Sequence, residues 1–284
     1  MIKLYYWTQI NKKKQNFGDL LSKYIVENIS LSKVQLIDPS SKKYKLLFKH
    51  YFAIGSILCR ANKNSIVWGS GIIKKDEDIK KAKFLAVRGP KTRKRLIELG
   101  YNVPKVYGDP GILTSIFYHK EADKDSYKKY EFGIIPHYVD FDKINNKLKD
   151  IPEILVINLM TSNVEDVLDK ILSCRKIIST SLHGVIVAQS FEIPAIWLKY
   201  GDSLAGDDIK FYDYYESIGI NYPDSKYFDF ESINSISKIF EAYFKYSLPN
   251  NKTVKNTQIN LVKNCPFISN KRKKYIIKSI LNKQ

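Results

Sequence analysis

The chain has 284 residues, which at about 150 residues per domain points to two domains with room for a real core. Hydrophobic residues at 44% and aromatics at 13% exclude a disordered or fibrous chain. Its 47 Lys and Arg against 29 Asp and Glu leave a formal charge of +18, which asks for an anionic partner. A sequence this rich in Lys, Asn and Ile also reads as the product of a biased genome, so the charge alone assigns nothing.

Cys59, Cys174 and Cys265 are far apart and odd in number, which argues against a disulfide framework or a structural zinc site and fits a reducing compartment. Residues 1–7 lack the long apolar stretch and small-residue cleavage site of a signal peptide. No apolar run approaches the roughly 18 residues of a membrane span. The expectation is a cytoplasmic globular protein.

In chain order, residues 2–7 read as a strand and 19–29 as a helix with Leu20, Leu21, Tyr24, Ile25 and Ile29 on one face. Strands follow at 34–38, 52–58, 65–68 and 84–87. Pro90 in a first turn and Gly100 after a last one punctuate a helix over 90–99. The polar stretch 120–130 is the natural boundary. Beyond it come strands at 132–136 and 154–158, a helix over 164–174, and a strand at 177–180. A helix over 184–191, a strand at 195–199 and helices over 210–218 and 233–246 complete the second block. This alternation predicts an α/β protein of two Rossmann-like domains, with mainly parallel sheets facing a central cleft. The expected units are 1–122, 130–250 and a basic tail, 251–284.

Parallel sheets place ligands beyond the carboxyl ends of their strands, and four unusual clusters lie there. Asn16-Phe17-Gly18-Asp19 precedes the first helix; Gly18 permits close approach, and Asp19 reads as an acid/base group or simply the helix cap. Trp68-Gly69-Ser70-Gly71 reads as a backbone nest for an anion or as a tight turn. Arg88-Gly89-Pro90 puts a guanidinium beside a helix N-terminus, suited to a carboxylate or phosphate, or to a salt bridge with a carboxylate such as Asp109 in Gly108-Asp109-Pro110. Ser179-Thr180-Ser181-Leu182-His183-Gly184 opens a helix with hydroxyls and a titratable ring. His137, one of only four histidines, ends the first strand of the second block in the equivalent place. No HExxH, Cys/His cluster, P-loop, GxGxxG or GxSxG occurs; Asp207-Asp208 reads as a solvent-facing pair before a metal site.

Taken in order, these motifs resemble the polysaccharide pyruvyl transferase family over roughly residues 1–200. The resemblance rests on Asn16-Phe17-Gly18-Asp19, the turn at 69–71, Val87-Arg88-Gly89-Pro90 and Val106-Tyr107-Gly108-Asp109-Pro110. It continues through Ile135-Pro136-His137-Tyr138, Ser181-Leu182-His183-Gly184 and Ile193-Pro194-Ala195. It implies a glycosyltransferase-B-like fold and transfer of pyruvate from phosphoenolpyruvate, as a ketal, onto a galactose, mannose or N-acetylmannosamine unit of a surface polysaccharide such as a capsule or exopolysaccharide. The first domain would hold the acceptor and the Arg88 loop, the second the donor.

The implied donor set is Arg88, Ser181, Leu182 and Gly184, with Gly69 and Ser70 beside it. Asn16 and Asp109 fall on the acceptor side, and His183, Asp19 and His137 are the candidates for acid/base work, each such role contributing typically 10²–10⁴-fold. Many relatives carry Arg where this chain has Ser181, so another cation should substitute; Lys199, Arg175 and Lys176 are the candidates. No metal or organic cofactor is expected, phosphoenolpyruvate being a co-substrate. A nucleotide-sugar glycosyltransferase of the same fold is the alternative.

Residues 251–284 contain nine Lys or Arg and no Asp or Glu, half of the +18. Tyr275, Ile276, Ile277, Ile280 and Leu281 form an apolar stripe beside Lys271-Arg272-Lys273-Lys274. Such a helix suits an anionic membrane surface at the inner face of the plasma membrane, or a lipid-linked acceptor, or it packs back on the first domain. Scattered lysines without a recognition motif give no nucleic-acid partner.

Overall fold

The structure, a computed structural model, describes residues 1–9, 12–119, 127–201 and 206–282. Most of the expected boundary at 120–130, and Lys283 of the tail, lie outside the described residues. The strands are β1 (Ile2–Tyr5), β2 (Gln15–Asn16), β3 (Val34–Leu36), β4 (His50–Phe52), β5 (Ser65–Trp68), β6 (Lys83–Ala86), β7 (Tyr130–Ile135), β8 (Ile154–Val156), β9 (Met160–Thr161), β10 (Cys174–Ser179) and β11 (Ala195–Trp197).

Two sheets result, ordered β3-β1-β4-β5-β6 and β11-β10-β7-β8. Every pairing within them is parallel. The mixed α/β class with mainly parallel sheets is therefore as expected. A third, two-stranded antiparallel ribbon pairs β2 with β9, Gln15 opposite Thr161 and Asn16 opposite Met160. It ties the loop after the first strand to the second block, and sequence periodicity gave no sign of it because each strand is too short to show a period.

The helix Phe17–Ser30 is amphipathic, burying Phe17, Leu21, Ile25, Val26 and Ile29. Full burial of such side chains stabilises by about 1.5–3 kcal/mol each. Its apolar face joins a core shared with the second sheet, through Ile134, Ile135, Ile177 and Ile178, and with the tail, through Leu261, Ile276 and Ile280. A smaller cluster built on Phe52, Val67, Phe84 and Leu96 fills another part of the first block.

The tail forms two helices, Asn251–Lys263 and Asn270–Asn282. They pack against the first block. Trp68 Nε1 donates to the Leu261 carbonyl at 2.9 Å, Gln258 Nε2 to the Ile112 carbonyl at 2.8 Å, and Phe267 meets the rings of Tyr51 and Trp68 edge-on. Of the expected stripe, Ile276 and Ile280 are buried while Tyr275 and Leu281 face solvent. The packing alternative thus accounts for the inner half of the stripe.

Candidate functional site

Three helix starts converge where β2 meets the second block. Asn16 caps the helix Phe17–Ser30, its Oδ1 accepting from Gly18 N at 2.8 Å. The cap is therefore Asn16, and Asp19, read from sequence as a possible cap, is left for other work. Gly18 lies against the His183 imidazole so closely that a Cβ there would run into the ring. His183 stands in the first turn of the helix Leu182–Ser190 and is 15% exposed.

Asp109 completes the group. Its Oδ1 accepts from Gly111 N at 2.9 Å and caps the short 3₁₀ turn Pro110–Leu113. Its Oδ2, fully buried, faces His183 Nε2 at 3.7 Å, and neither atom has a hydrogen-bond partner among the described residues. Buried polar atoms without partners are costly and uncommon, and cluster where a ligand or strain supplies the reason. Burial pushes the Asp19 carboxyl up to about 6, with the nearby His183 pulling the other way. Asp19, Asp109 and His183, drawn from three distant stretches of chain, are thus brought to one place.

Of the two readings of Arg88, ligand binding or a salt bridge, the structure shows the salt bridge. Its side chain is fully buried, with Nε 3.0 Å from Asp213 Oδ2, one terminal nitrogen donating to Ser56 Oγ at 2.6 Å and the other to the Ile72 carbonyl at 2.7 Å. Asp213, in the helix Ile209–Ser217, also accepts from Thr92 N at 2.9 Å and Thr92 Oγ1 at 2.6 Å. The salt-bridge reading of Arg88 holds, but its partner is Asp213 rather than Asp109. In this arrangement the guanidinium ties two loops of the first block to that helix instead of facing an open cleft. Gly69, at φ +105°, makes a turn packed against the Pro110 ring, and next to it Ser70 Oγ is buried without a hydrogen-bond partner among the described residues.

In the second block, Leu182 is 4% exposed and belongs to the core, and Gly184 packs beneath Ser179 and Ile135. Both shape the helix start, and neither side chain offers a polar group to a ligand. Ser181 is half-buried before that helix, its N–H donating to Ser179 Oγ at 2.9 Å. His137 N–H donates to Thr180 Oγ1 at 2.7 Å, while its buried Nδ1 lacks a partner among the described residues. Burial and the neighbouring Lys210 push the His137 imidazole down to about 4, so it stands neutral at neutral pH.

The cations proposed to stand in for the missing Arg are engaged elsewhere. Lys199 Nζ pairs with Asp208 Oδ2 at 2.6 Å. Arg175 and Lys176 sit at the start of β10, at the end remote from Ser179, and both approach Glu131, at 4.0 and 2.9 Å. Asp207 accepts from Lys75 N and Ile209 N at 2.9 and 3.2 Å, so neither member of the Asp207-Asp208 pair is idle. Lys210 is the residue sequence reasoning missed. Half-buried, it makes no hydrogen bond or ion pair among the described residues. Burial, then the Arg88 charge, bring its ammonium down to about 8. Nothing marks it in the sequence, because a Lys opening a helix looks like any solvated position.

A model of the polysaccharide pyruvyl transferase family matches residues 3–203. The chain belongs to that family. An uncharacterized protein, L143, of Acanthamoeba polyphaga mimivirus is 36% identical over 213 residues, 73% of this chain and 72% of its own. The pyruvyl transferase match takes in Asn16, Gly18, Asp19, Arg88, Asp109, His137 and His183 but stops short of Lys210 and Asp213.

Proposed function

We propose that this family member transfers the pyruvyl group of phosphoenolpyruvate to a sugar of a surface polysaccharide and forms a ketal. The observation that carries the reading is His183 Nε2 facing Asp109 Oδ2 at 3.7 Å, both without a hydrogen-bond partner among the described residues, beside an Asp19 carboxyl raised to about 6 at converging helix starts. Helix N-termini favour anions, and phosphoenolpyruvate carries two anionic groups. Lys210 supplies the cation that Ser181 does not, and Ser70 Oγ a further donor.

In the proposed reaction Asp19, protonated, gives its proton to the terminal enol carbon, and His183 takes the proton of the attacking sugar hydroxyl as that oxygen bonds to the central carbon. The carbon–oxygen bond to phosphate then breaks, phosphate leaving with the bonding pair and the second hydroxyl's proton. That hydroxyl's oxygen closes the ketal. Neutral His137 lines the site as a hydrogen-bonding group. The acceptor fits on the Asn16 and Asp109 side. The chain is organised as two Rossmann-like units of glycosyltransferase-B type, 1–122 and 130–250, and works at the cytoplasmic face of the membrane on a lipid-linked oligosaccharide or polysaccharide.

Thermal melts with candidate donors test the donor assignment. Phosphoenolpyruvate is expected to raise the midpoint of the wild type and to do so far less for Lys210→Gln; stabilisation by nucleotide sugars but not by phosphoenolpyruvate would favour a glycosyltransferase.

A further inference from the structure

Because every strand of the first sheet runs parallel, the strand starts share one edge, opposite the end that carries the candidate site. The chain enters this edge through Met1, Lys33, Lys49, Lys63 and Lys83, all exposed. Ile2 N donates to the Lys33 carbonyl at 2.9 Å and His50 N to the Asn64 carbonyl at 3.2 Å. Asn64 Nδ2 donates to the carbonyls of Tyr44 and Lys45 at 3.2 and 2.9 Å, which draws the short helix Lys42–Leu46 onto the same edge.

Residues 1–4, 31–34, 41–50, 62–66 and 81–84 hold nine lysines and no Asp or Glu. Two carboxylates border it: Glu27 Oε1 accepts from Val34 N at 2.9 Å, and Asp38 accepts from Ser40 N and Oγ at 2.8 and 2.7 Å and also feels the Lys45 charge. Lys3, Lys42, Lys43 and Lys49 form no ion pair with a carboxylate among the described residues. Out of this basic surface project Leu46, Leu47 and Phe48, 63%, 74% and 38% exposed, with Met1 and Leu31 at 85% and 74%. Lys3 and Lys43 hold their ammonium groups over the Phe48 ring, 4.1 and 5.3 Å from its centroid. Singly exposed apolar side chains are ordinary; three in a row within a ring of lysines are not.

We infer that this edge is a docking face for an anionic lipid surface. Leu46, Leu47 and Phe48 enter the interface while Lys42, Lys43, Lys45 and Lys49 meet the head groups. Aliphatic tips at the centre of the patch give a nucleic-acid backbone nothing to bind, but they gain from leaving water for acyl chains. The tail is the weaker candidate because Ile276 and Ile280 are buried and Arg272 donates to the carbonyls of Asn28 and Ile29. Since the site lies at the other end of the strands, docking leaves it uncovered. The inference does not rest on the pyruvyl-transfer reading.

Sedimentation of the full-length protein with vesicles tests it. Binding is expected to vesicles of phosphatidylglycerol and phosphatidylcholine, to fall as salt rises, and to be absent with phosphatidylcholine alone. Changing Lys42, Lys43, Lys45 and Lys49 to Gln should lower the partition coefficient by about 100-fold or more. Leu46→Ser with Leu47→Ser, at unchanged charge, should lower it by about tenfold. All six positions are exposed, and unchanged melting curves would show intact folding. Equal binding to both vesicle types, retained binding in the leucine pair, or binding to single-stranded RNA with none to vesicles would overturn the inference. So would loss of binding in Tyr275→Ser with Leu281→Ser while the leucine pair binds normally.

Discussion

Asp19 carries its charge at a cost. Ionising a buried carboxyl opposes folding, and a shift from 3.8 to about 6 corresponds to about 3 kcal/mol, which partial solvent contact and the helix N-terminus reduce to about 1–2 kcal/mol. A carboxyl whose folded value is raised is fully compatible with folding below its unfolded value, and stability falls as pH rises from about 4 through 6. Asp19→Asn should therefore stabilise the protein by about 1–2 kcal/mol at pH 8 and by little at pH 4, measured by urea unfolding, while turnover is lost. Were Asp19 the helix cap, the substitution would change stability little or lower it. Lys210 acts in the alkaline range. Its ammonium is present below about 8 and lost above it, so KM for phosphoenolpyruvate should rise there, and Lys210→Arg should push that rise to higher pH.

At the scale of elements, the convergence of Gly18, Asp109 and His183 was legible because a parallel sheet forces its carboxyl ends, and the helices that follow them, onto one side. Glycines and prolines punctuate those places. The environment of Arg88 was not legible. Whether a guanidinium at a strand end faces a cleft or the interior depends on what packs over it, and Asp213 comes from a helix whose sequence looks like any amphipathic surface. The consequence is testable. Breaking a buried ion pair from one side leaves a charge uncompensated, so Arg88→Ala or Asp213→Ala should cost about 3–5 kcal/mol and lower the melting midpoint. Melts as stable as wild type in either variant would place the guanidinium in water and return it to the donor site. His183→Ala, at a partly exposed position, should leave the fold intact and remove turnover.

For the whole molecule, the charge of +18 divides by location. Much of it lies on the strand-start edge of the first sheet and on the outer face of the tail, while the proposed donor site needs only Lys210 and helix ends. The tail's composition showed its basic, amphipathic character but not its role, because half of an apolar stripe can be buried while the other half is wet. Its helices bury Val254, Leu261, Val262, Ile276 and Ile280. At about 1.5–3 kcal/mol per buried side chain, against a total stability of about 5–15 kcal/mol, deletion of residues 251–284 should prevent stable folding. A truncated chain that is soluble and melts like the full one would show that the tail is an appendage.

The most direct test is turnover. Purified protein would be incubated with phosphoenolpyruvate or with nucleotide sugars, and with galactosides, mannosides and N-acetylmannosaminides as acceptors. Phosphate release and product mass would be followed together. Phosphate released in step with an acceptor gain of one pyruvate less one water, absent in His183→Ala, is the expected result. A hexose-sized gain from a nucleotide sugar, with phosphoenolpyruvate untouched, would contradict it.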